Sequence, residues 1–477
     1  DTVFYNRDFG LTGQVCMVTV QYKRNWRSAF QSWNTKILFV NGVIDPSTVK
    51  IIGNRQPGDY VTGLNQLSID TVDTTGSSVV AQESLDKINY VKARFAFTGG
   101  EGIVSWSVDG NKANSTHGIR GRGNTSWRDY PKKSYRVKFT QAYSPSGTRV
   151  TASEPRSPAG LTASRDWILL SQWREEDLMV TPVVQMAARL MGTSVVNSAV
   201  PVEVTWNGVY RGVYLLTEAI ESGAGRVPVD TSKAPASGGD YIIELSTEYD
   251  QPGEQFRSSI FRETNGGGLP VMIKEAKSST SAATLGTIEN HFLQLEQALA
   301  SMMRAPLKDK ETALTLVSNI LDPYTAGQYL AATRVINNSE LNHPKSVYLY
   351  YTKGKFHLGP LWDFDWTSYG DSLFVPQLEF FQTMYAHRDV KNNFCQALLQ
   401  FRTNFSAFED FVDDYANALR YGYLRDRALW PETQDRNFGW PPPTISRPST
   451  IDVQLTLLKN SYINRTNTLL RSECSVQ

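Results

Sequence analysis

The chain has 477 residues, of which 40% are hydrophobic and 20% are charged, and its formal net charge is +1. This length allows two or three domains, and the balanced charge gives no indication of a nucleic-acid surface or an acidic tail. No run approaches the roughly 20 apolar residues of a membrane helix, so we expect no membrane span.

The cysteines are Cys16, Cys395 and Cys474, and the absence of a CxxC spacing argues against a zinc site. Cys395 and Cys474 could pair in an oxidising compartment, which the sequence alone leaves open. No signal-peptide pattern is recognised, although a start at Asp1 would suit a processed mature chain. Secretion is also favoured by N-glycosylation triplets, which occur at Asn114, Asn124, Asn337, Asn404 and Asn464.

Residues 1–95 alternate short apolar runs with turns, which predicts an all-β, sandwich-like accessory module. Its strands include Val15–Tyr22, Lys36–Val40 and Val49–Gly53. The stretch from Cys16 to Gln31 resembles the start of a cellulose-binding β-sandwich, so a glycan contact is one interpretation. A plain spacer domain is the other.

A glycine-rich run from His117 to Trp127 precedes a predicted strand at Tyr130–Phe139. Glycines permit conformations with exposed backbone amides, and basic and hydroxyl side chains would complete a phosphate cradle. Lys138, which shares a strand face with Arg136, could reach back to the phosphates. The alternative is a hairpin with solvated basic residues. The candidate cradle residues are Gly118, Arg120, Gly121, Arg122, Gly123, Thr125 and Ser126.

A strand at Trp167–Leu170 is followed by a predicted helix over Glu175–Gly192, in which Glu176 or Asp177 could pair with Lys138 or lie in solvent. The Asn207-Gly208 turn predicts a β-hairpin over Val200–Glu218. Further strands are predicted at Tyr241–Leu245 and Leu269–Lys274, and the polar connection 246–268 between them is a candidate lid or mobile loop.

Beyond Lys277 the apolar residues recur at helical spacing. A polar loop, 337–346, interrupts this pattern before an aromatic hairpin. The predicted helices cover Ala283–Met303, Lys308–Ile320, Pro323–Val335, Asn393–Phe401, Phe408–Tyr421 and Thr450–Arg471.

The hairpin is predicted from two apolar runs, Val347–Tyr351 and Phe356–Leu358, and it leads into Trp-Asp-Phe-Asp at 362–365. Burying Asp363 and Asp365 in such apolar surroundings would be costly, and a divalent cation would compensate both charges. The alternative is that one carboxylate caps a turn and the other is solvated.

Four of these motifs, in this order, resemble the CotH family, named for spore coat protein H. The resemblance covers about residues 100–475, and it rests on Ile119–Trp127 with Pro131–Lys138, Val209–Glu218, His343–Ser346 and Gly359–Asp365. It implies an α+β fold in which residues 96–477 form a reduced protein-kinase-like domain. Its β-rich nucleotide lobe would cover about 96–277 and its mainly helical lobe 278–477.

The family is similar to secreted or cell-surface atypical protein kinases, which transfer phosphate from ATP to protein hydroxyls. The resemblance implies that Lys138 contacts the nucleotide phosphates, with help from Arg120 or Arg122. Asp363 would hold Mg²⁺ or Mn²⁺, and Asp365 would either bind a second ion or orient the first.

The polar loop would supply the residues that meet the substrate. Glu340 would accept or orient the substrate hydroxyl, and Asn338 would be a further metal ligand. We expect an aspartate where Glu340 stands, and the longer side chain could misplace the reacting groups.

This departure keeps a second function class open, namely a catalytically degenerate surface or adhesion protein with a kinase-like fold. A third reading is a carbohydrate-associated enzyme, because paired carboxylates also serve glycoside hydrolysis. The five histidines show no metal spacing and are interpreted as structural or exposed. The expected partner is a protein substrate or a surface protein, and the expected location is extracellular.

Overall fold

The computed structural model describes residues 15–21, 32–40, 43–44, 50–51, 64–73, 78–98, 104–107, 118–138, 141–143, 149–151, 161–173, 177–223, 225–246, 254–364, 367, 370–430 and 451–474. Helices and sheets are both present, so the α+β class is confirmed.

The most amino-terminal strands form a small sheet. In it β2 pairs antiparallel with β1, β3 and β4. These strands overlap the strands predicted in this part of the chain, whose assignment to an accessory module stays a prediction, and they are β1 Val15–Gln21, β2 Ser32–Val40, β3 Val43–Ile44 and β4 Lys50–Ile51.

A larger sheet contains ten strands in the described part of the chain, in the order β11-β10-β7-β6-β5-β13-β14-β12-β9-β8. Only the β5–β13 pair among these is parallel. The strands are β5 Asn65–Val72, β6 Lys92–Thr98, β7 Val104–Ser107, β8 Gly118–Arg122, β9 Ser134–Lys138, β10 Gln141–Tyr143, β11 Arg149–Thr151, β12 Asp166–Leu170, β13 Ala199–Trp206 and β14 Val209–Glu218.

One face of this sheet carries a hydrophobic core. Residues at every second position, such as Tyr135 and Val137 of β9, point into it, as the alternation predicts. The ring of Tyr135 lies 4.8 Å from that of Trp206. The predicted domain boundary between residues 95 and 96 falls inside β6, which pairs with β5 and β7. The division into domains stays a prediction.

A third sheet has the order β16-β17-β15-β18-β19. Its hairpin and two of its other strands lie where the sequence predicts them. The remaining strand, β16, does not, because residues 255–262 of the predicted loop pair with β17 instead. The strands are β15 Tyr241–Leu245, β16 Gln255–Arg262, β17 Gly268–Ala276, β18 Val347–Thr352 and β19 Lys355–Leu358.

The helices predicted from apolar spacing are present with shifted boundaries, and the structure adds two short helices, Thr125–Arg128 and Glu379–Tyr385. Pro182 lies in the first turn of α2, where its missing N–H costs nothing. The helices are α1 Thr125–Arg128, α2 Val180–Leu190, α3 Ala282–Arg304, α4 Lys310–Ile320, α5 Pro323–Ile336, α6 Glu379–Tyr385, α7 Arg388–Thr403, α8 Phe405–Leu429 and α9 Ile451–Glu473.

Helices α7 and α9 are joined by a disulfide between Cys395 and Cys474, whose Cα atoms are 5.6 Å apart. The pairing that the sequence left open is therefore made.

The chain divides into two compact units. The first unit comprises Asp1–Pro182, Ser198–Ala219 and Asp410–Pro442, and it contains the ten-stranded sheet. The second unit comprises Val183–Asn197, Ile220–Glu409 and Pro443–Gln477, and it contains the five-stranded sheet with helices α3 to α7 and α9.

Candidate functional site

In the second unit, the side chain of Asn338 holds the polar loop between α5 and β18. Its Oδ1 accepts a hydrogen bond of 3.1 Å from the backbone N–H of Glu340, at the start of a 3₁₀ helix, Ser339–Asn342. Its Nδ2 donates to the backbone carbonyl of Asp363 at 3.0 Å. One amide side chain therefore ties the loop to the segment that follows β19.

Asp363 is the residue of the segment after β19 whose carbonyl accepts this hydrogen bond from Asn338. Its φ is +61°, a left-handed conformation that aspartate tolerates better than most residues. Its Oδ2 accepts a hydrogen bond of 3.2 Å from the hydroxyl of Ser346. Ser346 had no predicted role of its own, although its place at the end of the polar loop was the available signal.

Asn338, Glu340 and Ser346 line a small pocket, and Asp363 is joined to it through its hydrogen bonds with Asn338 and Ser346. Asn338, Glu340, Lys345 and Ser346 supply its polar wall, with Trp362 and Phe364 among its aromatic side chains. Both Asn338 and Glu340 are buried, at 7% and 8% exposure. Tyr329 also lines the pocket, and because burial raises the pKa of its hydroxyl this tyrosine stays neutral. The loop and the Trp-Asp-Phe segment, which the sequence placed in one site, do meet.

The oxygen atoms in this pocket fit a hard divalent cation. Mg²⁺ is commonly held by one or two carboxylates and retains several waters. Asp363 would be the anchoring ligand, with the hydroxyl of Ser346 beside it. Asn338 Oδ1 is already bonded to an amide, which leaves it one lone pair. Asp365, the predicted second carboxylate, lies outside the described residues, and the described ranges contain no cluster of three His, Cys, Asp or Glu side chains.

In the first unit, two glycines of the predicted cradle serve close packing. A Cβ at Gly118 would clash with the carbonyl of Val91, and one at Gly121 would lie 2.5 Å from the ring of Trp127. The Gly121 N–H donates to the carbonyl of Asp86 at 2.7 Å. The amide of Gly121 is therefore taken up by the chain itself, so phosphate contacts would have to come from elsewhere in the run.

Gly123 remains the turn residue of this run. Its φ is +93°, and the Ser126 hydroxyl occupies the space that a Cβ would need. Gly123 and Ser126, both predicted cofactor-binding residues, are therefore in direct contact at the start of α1. Next to them, Lys87 Nζ donates to Asn124 Oδ1 at 2.8 Å.

The predicted arginines lie on β8. Arg120 donates to the backbone carbonyl of Lys87, and its guanidinium lies 5.1 Å from the centroid of the Tyr90 ring. Arg122 is opposite Ser134 of β9 in the strand register. Asp86 holds the segment that accepts the hydrogen bond from Arg120. The carboxylate of Asp86 accepts hydrogen bonds from the backbone and side chain of Asn89, and these bonds lower its pKa.

Lys138 ends β9, and its ammonium lies 3.4 Å from a carboxylate oxygen of Asp166 on β12. Arg136, on the same face, is 3.2 Å from the other oxygen of Asp166. The expectation that Glu176 or Asp177 pairs with Lys138 stays a prediction for Glu176, and the observed partner of Lys138 is Asp166. Glu176 lies outside the described residues, and Asp177 accepts from the backbone N–H of Met179. Asp166 takes that place because the β9–β12 register sets it opposite Lys138.

Comparison with protein-family models gives one match, to the family described as CotH kinase protein, over residues 119–469. The chain belongs to the CotH kinase family. The matched region contains Lys138, Asn338, Glu340 and Asp363. The Asp86–Tyr90 segment, which contacts β8, precedes the region that matches CotH.

No curated protein sequence matches the chain significantly, so family membership rests on the CotH match and the motifs. Within the described ranges, no helix is long and apolar enough to cross a membrane. The family name indicates a kinase-like protein.

Proposed function

We propose that this CotH family member is an atypical protein kinase that transfers the γ-phosphate of ATP to serine or threonine hydroxyls. The observation that carries the proposal is a pocket of the second unit that is lined by Asn338, Glu340 and Ser346, two of which are hydrogen-bonded to Asp363. Phosphoryl transfer requires little covalent chemistry from the protein, and it depends mainly on positioning and on compensation of charge. A buried acidic side chain beside a metal-holding aspartate meets that requirement.

In the proposed reaction, the substrate hydroxyl oxygen forms a bond to the γ-phosphorus while the bond from that phosphorus to the β,γ-bridging oxygen breaks. ADP leaves, and the hydroxyl proton passes to Glu340. Mg²⁺ or Mn²⁺, when bound, would compensate phosphate charge. Asp363 would hold the ion with Ser346 fixing its carboxylate, and Asn338 would hold Asp363 in register with Glu340.

Lys138 is the proposed phosphate contact of the first unit. Its pairing with Asp166 resembles the way a kinase strand lysine is oriented by an acidic partner, although here the partner is on a neighbouring strand. Gly123 and Ser126 are the further candidates from the predicted cradle, together with Arg120 and Arg122. A reduced kinase-like core in residues 96–477 is part of the same proposal.

We also propose that the protein acts outside the cytosol. The Cys395–Cys474 disulfide supports this location, because stable disulfides are typical of oxidising compartments and rare in reducing ones. A protein substrate or surface partner is the expected ligand class, and glycan contact through residues 1–95 stays a prediction. A cellulose or chitin pull-down with the full chain tests it.

Transfer is tested with radiolabelled ATP and either Mg²⁺ or Mn²⁺, using the protein itself and a generic protein as acceptors. The variants are Lys138→Ala and Asp363→Ala, with Lys308→Ala and Asp309→Asn as exposed controls of the same residue types. We expect labelling by the wild type and both controls, and a loss of at least about 100-fold in the two site variants. Undiminished labelling by Asp363→Ala would refute the proposed role of the pocket.

A non-catalytic surface protein is the second candidate, and it is favoured by the glutamate at position 340. Titration calorimetry with ATP and each metal distinguishes the two functions. ATP binding without transfer, combined with a gain of transfer in Glu340→Asp, would indicate a degenerate kinase. No nucleotide binding with either metal would favour the surface-protein function.

A further inference from the structure

Helix α9 places a buried arginine against the end of α5. Arg465 is 1% exposed, and its Nη1 donates to the backbone carbonyls of Val335 and Ile336 at 3.1 and 3.3 Å. Carbonyls in the last turn of a helix find no N–H donor within that helix. A cation at this end is stabilised by the helix dipole. Arg465 therefore fixes the final turn of α5.

This turn leads directly into the pocket. After Ile336, Asn337 adopts a left-handed φ of +61° and its N–H bonds to the carbonyl of Thr333. Asn338 follows at once, with its contacts to Glu340 and Asp363. The direction in which the chain leaves the helix towards Asn338 is therefore set by Arg465, which holds the carbonyls of Val335 and Ile336.

The same helix also contacts the chain beyond Asp363. The Gly370 N–H donates to the Ser461 hydroxyl at 2.6 Å, and Asn464 Nδ2 donates to Asp371 Oδ1 at 3.0 Å. The segment that contains Asn338 is therefore preceded by residues that are hydrogen-bonded to α9, and the segment that contains Asp363 is followed by such residues. Of these contacts, the one made by Arg465 is the most deeply buried.

We infer that Arg465 is a positioning residue for phosphoryl transfer, acting through the last turn of α5 on Asn338 and Glu340. This inference rests on the proposed function. It predicts that loss of the guanidinium displaces the loop without removing any group that contacts ATP. A displacement on the order of 1 Å at a reacting centre costs about 100-fold in rate.

The test compares Arg465→Lys and Arg465→Met with Thr466→Val. Thr466 is the next residue of α9, is fully buried, and its hydroxyl bonds to the carbonyl of Tyr462 within the helix, so this control perturbs the helix but not the contact with α5. Arg465→Lys retains a cation but lacks the guanidinium, so it replaces Arg465→Met in the test if that variant does not fold.

The first readout is hydrogen exchange at the amides of Asn338 and Glu340. We expect faster exchange in both Arg465 variants and wild-type exchange in Thr466→Val. The second readout is steady-state transfer, measured below the melting temperature of every variant. In the Arg465 variants kcat should fall about 10- to 100-fold while the KM for ATP is unchanged. Partial unfolding would also lower the apparent kcat at unchanged KM, so kcat is expressed per folded protein, and faster exchange confined to the loop distinguishes its displacement from a general loss of stability.

Wild-type exchange at both amides in Arg465→Lys and Arg465→Met would overturn the inference. So would a wild-type kcat in an active preparation of either variant. Absence of transfer by the wild-type protein would count against the proposed function instead, and the exchange measurement would still decide whether Arg465 positions the loop.

Discussion

Lys132 and Asp426 form an ion pair at 2.5 Å between side chains that are each 1% exposed, although the residues are 294 positions apart. Both belong to the first unit. The Asp426 carboxylate also accepts from the backbone N–H of Val213 at 2.8 Å, and Lys132 donates to the carbonyl of the same residue. The pair thus attaches the carboxyl-terminal part of α8 to β14.

Removing one partner should be far more damaging than removing both. Lys132→Met leaves the buried carboxylate with only the more distant Arg427 guanidinium, at 3.4 Å, and we expect the free energy of unfolding in urea to fall by about 3 kcal/mol. The double variant Lys132→Met/Asp426→Leu should recover part of this loss. Lys133→Met, at the half-buried neighbour, should cost at most about 1 kcal/mol. Equal losses for the two lysines would contradict the role of the ion pair.

Gly327 allows helices α5 and α7 to pack closely in the second unit. A Cβ at this position would lie 2.6 Å from the carbonyl oxygen of Val390 and 2.7 Å from the Cβ of Asn393. We expect Gly327→Ala to destabilise the protein by about 1–3 kcal/mol in urea unfolding. Gly286→Ala in α3 is the matched control, because nothing lies within 4 Å of the added Cβ, and it should stabilise by about 0.5–1 kcal/mol. The prediction fails if the two substitutions shift the midpoint in the same direction.

The sequence predicted elements well where their periodicity is strong. The Asn207-Gly208 turn and the alternation around it specify the β13–β14 hairpin, and the period of α3 is evident. β16, at Gln255–Arg262, was missed because polar and glycine-rich residues flank it, and only pairing with β17 reveals it as a strand.

Site prediction was limited by register and by long-range contacts. Spacing and resemblance brought the loop of Asn338 and the segment of Asp363 into one hypothesis, because both flank the same hairpin. The pairing of Lys138 with Asp166 depends on the β9–β12 register, which no local pattern specifies. Arg465, more than a hundred positions from the loop that it supports, gives no signal in its own neighbourhood.

The Ser346 hydroxyl should tune the carboxylate that would hold the metal. Ser346→Ala removes a hydrogen bond of 3.2 Å to Asp363 Oδ2, which corresponds to about 1 kcal/mol, or roughly fivefold in an equilibrium constant. We expect Mn²⁺ affinity, measured by calorimetry, to weaken by about that factor. Ser339→Ala removes an exposed hydroxyl from the same loop and should leave the affinity unchanged. Unaltered Mn²⁺ binding by Ser346→Ala would show that this contact has no part in metal binding.

Two histidines of the second unit should make stability depend on pH. Burial lowers the pKa of His291 and, against the opposing effect of Asp322, that of His357, each from an ordinary value of 6.5. The folded state therefore binds protons less readily than the unfolded state, so stability is full above about pH 6.5 and decreases as the pH falls towards the folded pKa values. Urea midpoints between about pH 7 and pH 5.5 measure this slope. The double variant His291→Gln/His357→Gln should flatten it, and an unchanged slope would exclude these histidines as the cause.

The disulfide should stabilise the packing of α7 against the end of α9. Cys395 and Cys474 are separated by 79 positions, and closing a loop of this size typically adds about 2–4 kcal/mol by restricting the unfolded chain. Next to it, Glu473 pairs with Arg334 of α5 at 3.0 Å.

We expect dithiothreitol to lower the urea midpoint of the wild type to that of Cys395→Ser/Cys474→Ser, and to have no effect on that variant. Cys16→Ser should respond to the reductant like the wild type. An unchanged wild-type midpoint, with chemical labelling that shows both thiols free, would mean that the bond contributes no stability and that packing alone holds α7 to α9.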